Sequence, residues 1–117
     1  MKVLDSFAWF EYFSGSAAGR VVAGLLASGE RLGTPATCVA EIKRKRKREG
    51  APWEKELQFI ASRSEVLPVT LKAAQLAGDV EQLHFADALV YAVALEHGAV
   101  LVTGDAHFKA LPRVKLL

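Results

Sequence analysis

The stretch Ala99-Val100-Leu101-Val102-Thr103 carries no charge and is bracketed by Gly98 and Gly104. Successive side chains of a strand point to opposite faces of its sheet, so a strand that is apolar at consecutive positions is buried on both faces. Such a strand demands a covering layer on each side, which confines the chain to a sheet sandwiched between helices. The segment before it, with Ala86, Leu89, Ala92, Val93 and Leu95, reads as a largely apolar helix from Phe85, and Gly98 stops it as a residue that tolerates left-handed geometry.

The rest of the chain repeats this alternation. Strands are expected at Met1 to Leu4, Arg31 to Thr34, Val66 to Val69 and Val114 to Leu116. Helices are expected from Ser6 to Phe13 with Ser6 as cap, from Ala17 to Ala27, from Ala36 to Gly50, from Pro52 to Arg63 and from Leu71 to Leu83, with a helical turn near His107 to Leu111. Val21, Val22, Leu25 and Leu26 are assigned to the buried side of the second helix, and Trp53, Leu57 and Ile60 to that of the fourth. Strands alternating with helices specify an α/β fold, a three-layer α/β/α sandwich around a central, mostly parallel sheet. At 117 residues, 51% of them hydrophobic, residues 1–117 are expected to form one domain with its own core.

Composition excludes several classes. No apolar run approaches the roughly 20 residues of a membrane span. The first strand is too short for a signal peptide and Asp5 interrupts it, so a cytoplasmic protein is expected. One cysteine, Cys38, rules out an internal disulfide and a cysteine-based zinc cluster. The net charge of +2 conceals an uneven distribution, because Lys43-Arg44-Lys45-Arg46-Lys47-Arg48 holds six of 15 basic residues and leaves nine against 13 acids elsewhere. A mildly acidic chain with one intensely basic segment suggests a polyanionic partner.

Four acids fall in related places. Asp5 follows the first strand, Glu41 lies early in the helix after the second, Asp105 follows the Ala99 strand, and Asp87 heads the helix leading into it. With right-handed crossovers these positions share the carboxyl edge of the sheet. Taken singly, Asp5 and Ser6 would be helix caps, Asp87 a helix-dipole acid, Asp105 a turn residue and Glu41 a solvated one. Together, four converging carboxylates repel, and a hard divalent cation such as Mg²⁺ or Mn²⁺ relieves that repulsion. Bound there, such a cation supplies a nucleophilic water and neutralises charge on a phosphodiester.

The segments VLDSFAWFEYF, TPATCVAEI and FADALVYAVALEHGAVLVTGDAHF resemble those of PIN-domain ribonucleases, especially VapC-type toxins of toxin–antitoxin pairs. The resemblance covers essentially the whole chain. It implies a PIN-like sandwich and a Mg²⁺- or Mn²⁺-dependent endoribonuclease that is inhibited by a cognate antitoxin and forms a homodimer. Asp5, Glu41, Asp87 and Asp105 match the family's catalytic and metal-binding acids, and Ser6 and Thr103 its supporting polar positions. Phe7 departs from the pattern, standing where a small polar residue is common. The alternative is a catalytically inactive PIN-like protein or nucleic-acid-binding module.

Arg44, Lys45 and Arg48 lie three, four and seven residues after Glu41, on its side of the helix, and are assigned to RNA phosphates. His84, His97 and His107 lack ligand-like spacing and are assigned surface or capping positions, with His107 a candidate neighbour of the cleft. Glu11 is assigned to the surface or rim. Trp9, Phe10, Tyr12 and Phe13 are assigned to the core and to an apolar dimer face.

Overall fold

A computed structural model describes residues 1–117. Five strands form one sheet: β1 (Lys2–Leu4), β2 (Leu32–Pro35), β3 (Glu65–Leu67), β4 (Val100–Thr103) and β5 (Val114–Leu116). Their order is β3-β2-β1-β4-β5, and every neighbouring pair is parallel. Six helices flank the sheet: α1 (Ser6–Ser14), α2 (Ala17–Ala27), α3 (Ala36–Arg48), α4 (Glu54–Arg63), α5 (Leu71–Gly78) and α6 (Phe85–Glu96). A short 3₁₀ turn, Ala106–Phe108, follows β4.

The two-sided burial expected of the Ala99 strand is realised by the pair β1 and β4. Val3 pairs with Leu101 and Leu4 with Val102, and all four are fully buried. Val3 and Leu101 point into a core with α5 and α6, where Ala73, Ala77, Tyr91 and Val93 pack. Leu4 and Val102 point the other way, to Trp9, Val22, Ile42 and Ile60 of α1 to α4. Helix α3 spans both layers, giving Cys38 to the first core and Ile42 to the second. Helix α6 is buried nearly all round, from Ala88 through Ala94, as suits a central apolar helix. Gly98 follows it at φ +60°, the left-handed stop its sequence calls for.

Several local expectations are corrected. Asp5, not Ser6, caps α1, accepting from the Ala8 N–H at 2.9 Å. Helix α4 starts at Glu54 instead of Pro52, with acids Glu54 and Glu56 in its first turn. Helix α5 ends at Gly78, not Leu83; the following chain turns to put Leu83 into the core ahead of α6. Strand β3 runs from Glu65 to Leu67, with Pro68 and Val69 beyond it. Val21 faces solvent while Val22 is buried. Of the aromatic residues of α1, Trp9 is sealed in the core, Phe10, Tyr12 and Phe13 are half-buried and Phe7 is exposed. Trp9 is fully buried, its indole N–H donates to Thr34 Oγ1 at 3.0 Å, and its ring packs with Tyr12, Phe13 and Phe59. Exposed large apolar groups are Phe7 on α1, Val21 on α2, Val66, Val69 and Leu71 near β3, Phe85 and Leu116. No helix is long and apolar enough to cross a membrane.

Helices α1 and α2 meet at Gly19. A Cβ there would lie 2.0 Å from the Glu11 carbonyl oxygen and 2.9 Å from Tyr12 Cα, backbone atoms that cannot move aside. Gly24, on the same helix, has open space around it. Gly19→Ala is therefore expected to destabilise the fold by about 2 kcal/mol or more through overpacking, while Gly24→Ala stabilises it by about 0.5–1 kcal/mol. Urea denaturation midpoints for the two variants check this; equal shifts would contradict the close helix approach.

Candidate active site

The sheet order puts β2 and β4 on opposite sides of β1, so successive connections diverge at the carboxyl ends of β1 and β4. In open parallel sheets this switch point is where ligands bind. Asp5 leaves β1 at this edge and Asp105 leaves β4 two residues past Thr103. The first turn of α6 presents Asp87. Glu41, on α3, joins through Ser6, whose hydroxyl donates to Glu41 Oε1 at 2.9 Å.

Asp5 is the acid most removed from water, 7% exposed. Burial pushes its carboxyl up from 3.8 to about 6, and the charges of Glu41 and Asp105 push in the same direction. The Thr103 hydroxyl and the Ala8 N–H act against this without cancelling it. Thr103 is itself fully buried, and its Oγ1 accepts from the Asp105 N–H at 3.0 Å, so one hydroxyl serves both acids. The Asp87 carboxyl is also raised, by burial first and then by Asp105 and Glu41, while His107 and His84 oppose the shift. The charges of Glu41 and Asp105 thus bear on both Asp5 and Asp87. Hard carboxylate oxygens around a buried, charge-averse Asp5 fit a divalent cation that keeps part of its water shell.

Asp105 also caps the 3₁₀ turn. Its Oδ1 accepts from the His107 N–H at 2.9 Å and lies 2.8 Å from His107 Nδ1. Ligand atoms of Asp87, Asp105 and His107 fall within 4.8 Å of one another. Sequence spacing alone gives His107 only a place beside the cleft; its separation of two from Asp105, across a capped turn, is the signal that points further. Thr37, one helical turn before Glu41 and on its face, holds a buried hydroxyl with no hydrogen-bond partner. Phe7 lies across Gly104, where a Cβ would come within 2.0 Å of the ring, so glycine there lets an aromatic side chain lie over the turn between Thr103 and Asp105. Cys38 sits beneath this edge, and burial pushes its thiol far up, leaving it inert. Glu11 is half-buried and takes a hydrogen bond from Ser16 at the start of α2, away from the other acids.

A cleft of about 690 Å³ is lined by Ser6, Phe10, Glu41 and Ala86 with Arg44, Lys45, Arg48 and Glu49, so that of the four acids Glu41 alone lines it. The basic run divides by helical phase. Arg44, Lys45 and Arg48 face the cleft. Arg46 turns to α4, holding Glu56 through two hydrogen bonds of 2.7 and 3.1 Å, and Lys43 lies 4.0 Å over the Trp53 ring. Lys45 also reaches Glu49 at 3.7 Å.

The raised Asp5 carboxyl sets a pH dependence. The unfolded chain releases this proton near pH 3.8, whereas the folded chain keeps it to about pH 6. Its contribution is therefore complete below pH 3.8 and is lost as pH rises through about 6. The loss is on the order of 3 kcal/mol. In chelator, Asp5→Asn, which keeps the α1 cap, is expected to remove this fall and to be the more stable protein at pH 7. Urea titrations of both proteins from pH 4 to about 7 measure the difference; parallel profiles would show that Asp5 ionises freely.

The PIN domain family model matches residues 2–114. No curated protein sequence matches the chain. Among solved structures, a toxin–antitoxin complex from Klebsiella pneumoniae is similar at 19% identity and a TM-score of 0.81, over 98% of this chain and 96% of that one. VapBC2 from Rickettsia felis, bound to a DNA fragment from its promoter, is similar at 19% identity and a TM-score of 0.76, over 99% and 96%. Mycobacterium tuberculosis VapC20, described as a sarcin–ricin loop cleaving toxin, is similar at 19% identity and a TM-score of 0.71, over 96% and 95%.

Proposed function

The chain belongs to the PIN-domain family, and on that premise we propose that it is a metal-dependent endoribonuclease, the toxin of a type II toxin–antitoxin pair. The observation that carries this reading is the buried Asp5 carboxylate sharing one sheet edge with Asp87, Asp105 and Glu41, the last of which lines a cleft with Arg44, Lys45 and Arg48. Acids alone would repel a polyanion. Acids next to a basic wall suit one that must be held by its phosphates while a cation occupies the acidic end.

In this reading Asp5, Glu41, Asp87 and Asp105 hold Mg²⁺ or Mn²⁺. Such a cation, when bound, supplies a nucleophilic water and neutralises charge on the scissile phosphodiester. The chain's own groups do the positioning. Ser6 orients the Glu41 carboxylate through its hydrogen bond. Thr103 fixes the Asp105 backbone and stands against Asp5. Arg44, Lys45 and Arg48 take RNA phosphates along the cleft. Toxin–antitoxin complexes of similar fold support a cognate antitoxin as partner; it would inhibit the enzyme, and the active form would be a cytoplasmic homodimer.

Purified protein is expected to cut single-stranded RNA with Mg²⁺ or Mn²⁺, to stop with chelator, and to leave 5′-phosphate and 3′-hydroxyl ends. Asp87→Asn is expected to abolish cleavage with the fold intact. Cleavage that survives chelation, or 2′,3′-cyclic phosphate products, would remove the mechanism, and full activity in Asp87→Asn would favour an inactive binding module over this acid site.

Changing Arg44, Lys45 and Arg48 together to Gln separates RNA binding from chemistry. The variant is expected to bind RNA more weakly, with a salt slope shallower by about 0.7 for each phosphate no longer neutralised. Single-turnover cleavage at saturating enzyme is expected to persist. A salt titration of RNA binding checks this; an unchanged slope would make these side chains a solvated face.

A further inference from the structure

We propose that His107 completes a mixed oxygen–nitrogen cation site with Asp87 and Asp105, so that this site takes a first-row transition dication in preference to Mg²⁺. The proposal rests on the reading that these acids hold a cation. Three side chains from two elements meet here: Asp87 from the first turn of α6, and Asp105 and His107 from the turn after β4. Their ligand atoms lie within 4.8 Å of one another. Donors bonded to one small dication at about 2.1 Å stand at most about 4.2 Å apart, so a slight closure brings all three to bonding distance. His107 Nδ1 already lies 2.8 Å from Asp105 Oδ1, near the roughly 3 Å between adjacent ligands of an octahedral ion at that bond length.

The imidazole is placed by the fold. The next residue, Phe108, is buried in the core and anchors the turn. The Asp105 carboxylate caps the turn at the His107 N–H, which fixes the backbone carrying the ring. His84, just ahead of α6, meets the ring edge-on, with centroids 6.0 Å apart and planes at 88°. The His107 Nδ1 lies on the Asp105 side of the ring, where it can serve as a ligand. A nitrogen donor penalises Mg²⁺, which demands oxygen ligands and gives up water reluctantly, and favours transition dications along the Irving–Williams order.

Mn²⁺ serves as the probe because its electron spin reports directly bonded nitrogen. Wild-type protein loaded with one equivalent of Mn²⁺ is expected to show ¹⁴N modulation in pulsed EPR. His107→Gln is expected to lose that signal and to bind Mn²⁺ about 10- to 100-fold more weakly, with Mg²⁺ affinity changed less than about 3-fold. His84→Gln is expected to keep the modulation. Bound Mn²⁺ without ¹⁴N modulation, or modulation that persists in His107→Gln, would overturn the proposal and leave the acid site standing. If wild-type protein binds no Mn²⁺ at all, both this proposal and the metal reading beneath it fail.

Discussion

The parallel pairing of β1 with β4 is the constraint on which the rest depends. With Val3 opposite Leu101 and Leu4 opposite Val102, each strand is apolar on both faces, and neither can be solvated on either side. Helices must then cover both faces, and parallel strands can be joined only by crossovers. Those crossovers return every strand in the same direction, so the segments leaving β1 and β4 emerge side by side. The meeting of Asp5 with Asp105 is a consequence of hydrophobic burial several residues earlier. The acids contribute nothing to that burial and work against it, as the raised Asp5 carboxyl shows.

Helix α3 converts a low-complexity sequence into a directional surface. Six consecutive basic residues cannot all face one way on a helix with 3.6 residues per turn. Ile42 is locked into the core, and Arg46 is clamped to Glu56 and Glu49, so the rotation of the helix is fixed. That rotation sends Arg44, Lys45 and Arg48 to the cleft and keeps Arg46 and Lys43 for Glu56 and Trp53. Phe10, from α1, lies beneath both Lys45 and Arg46 and gives their charges an aromatic face to rest on.

Much of this was legible in the sequence because the dominant signals are periodic. The apolar run of β4, the stop at Gly98 and the alternation of elements give the sandwich, and the offset from Glu41 gives the basic triad its direction. What the sequence hid depends on competition between neighbours. Asp5 and Ser6 are both good caps, and only the packed structure shows Asp5 taking the cap while Ser6 turns to Glu41. The end of α5 at Gly78 and the outward Val21 reflect tertiary packing that overrides local pattern. Local pattern does not show that Phe59, from the distant helix α4, packs against Trp9, Tyr12 and Phe13 of α1. Sequence placed His107 beside the cleft but did not show its approach to Asp87, which crosses from one element to another.

Asp5 serves two masters, the start of α1 and the acid edge, and they make unequal demands. The helix needs only a short oxygen-bearing side chain, which Asn provides as well as Asp. The charge is required by nothing in the packing. A lineage released from whatever work the acids do would find Asn at position 5 energetically downhill, with the helix start preserved. The scaffold can therefore outlast its chemistry, because the start of α1 survives the loss of the charge.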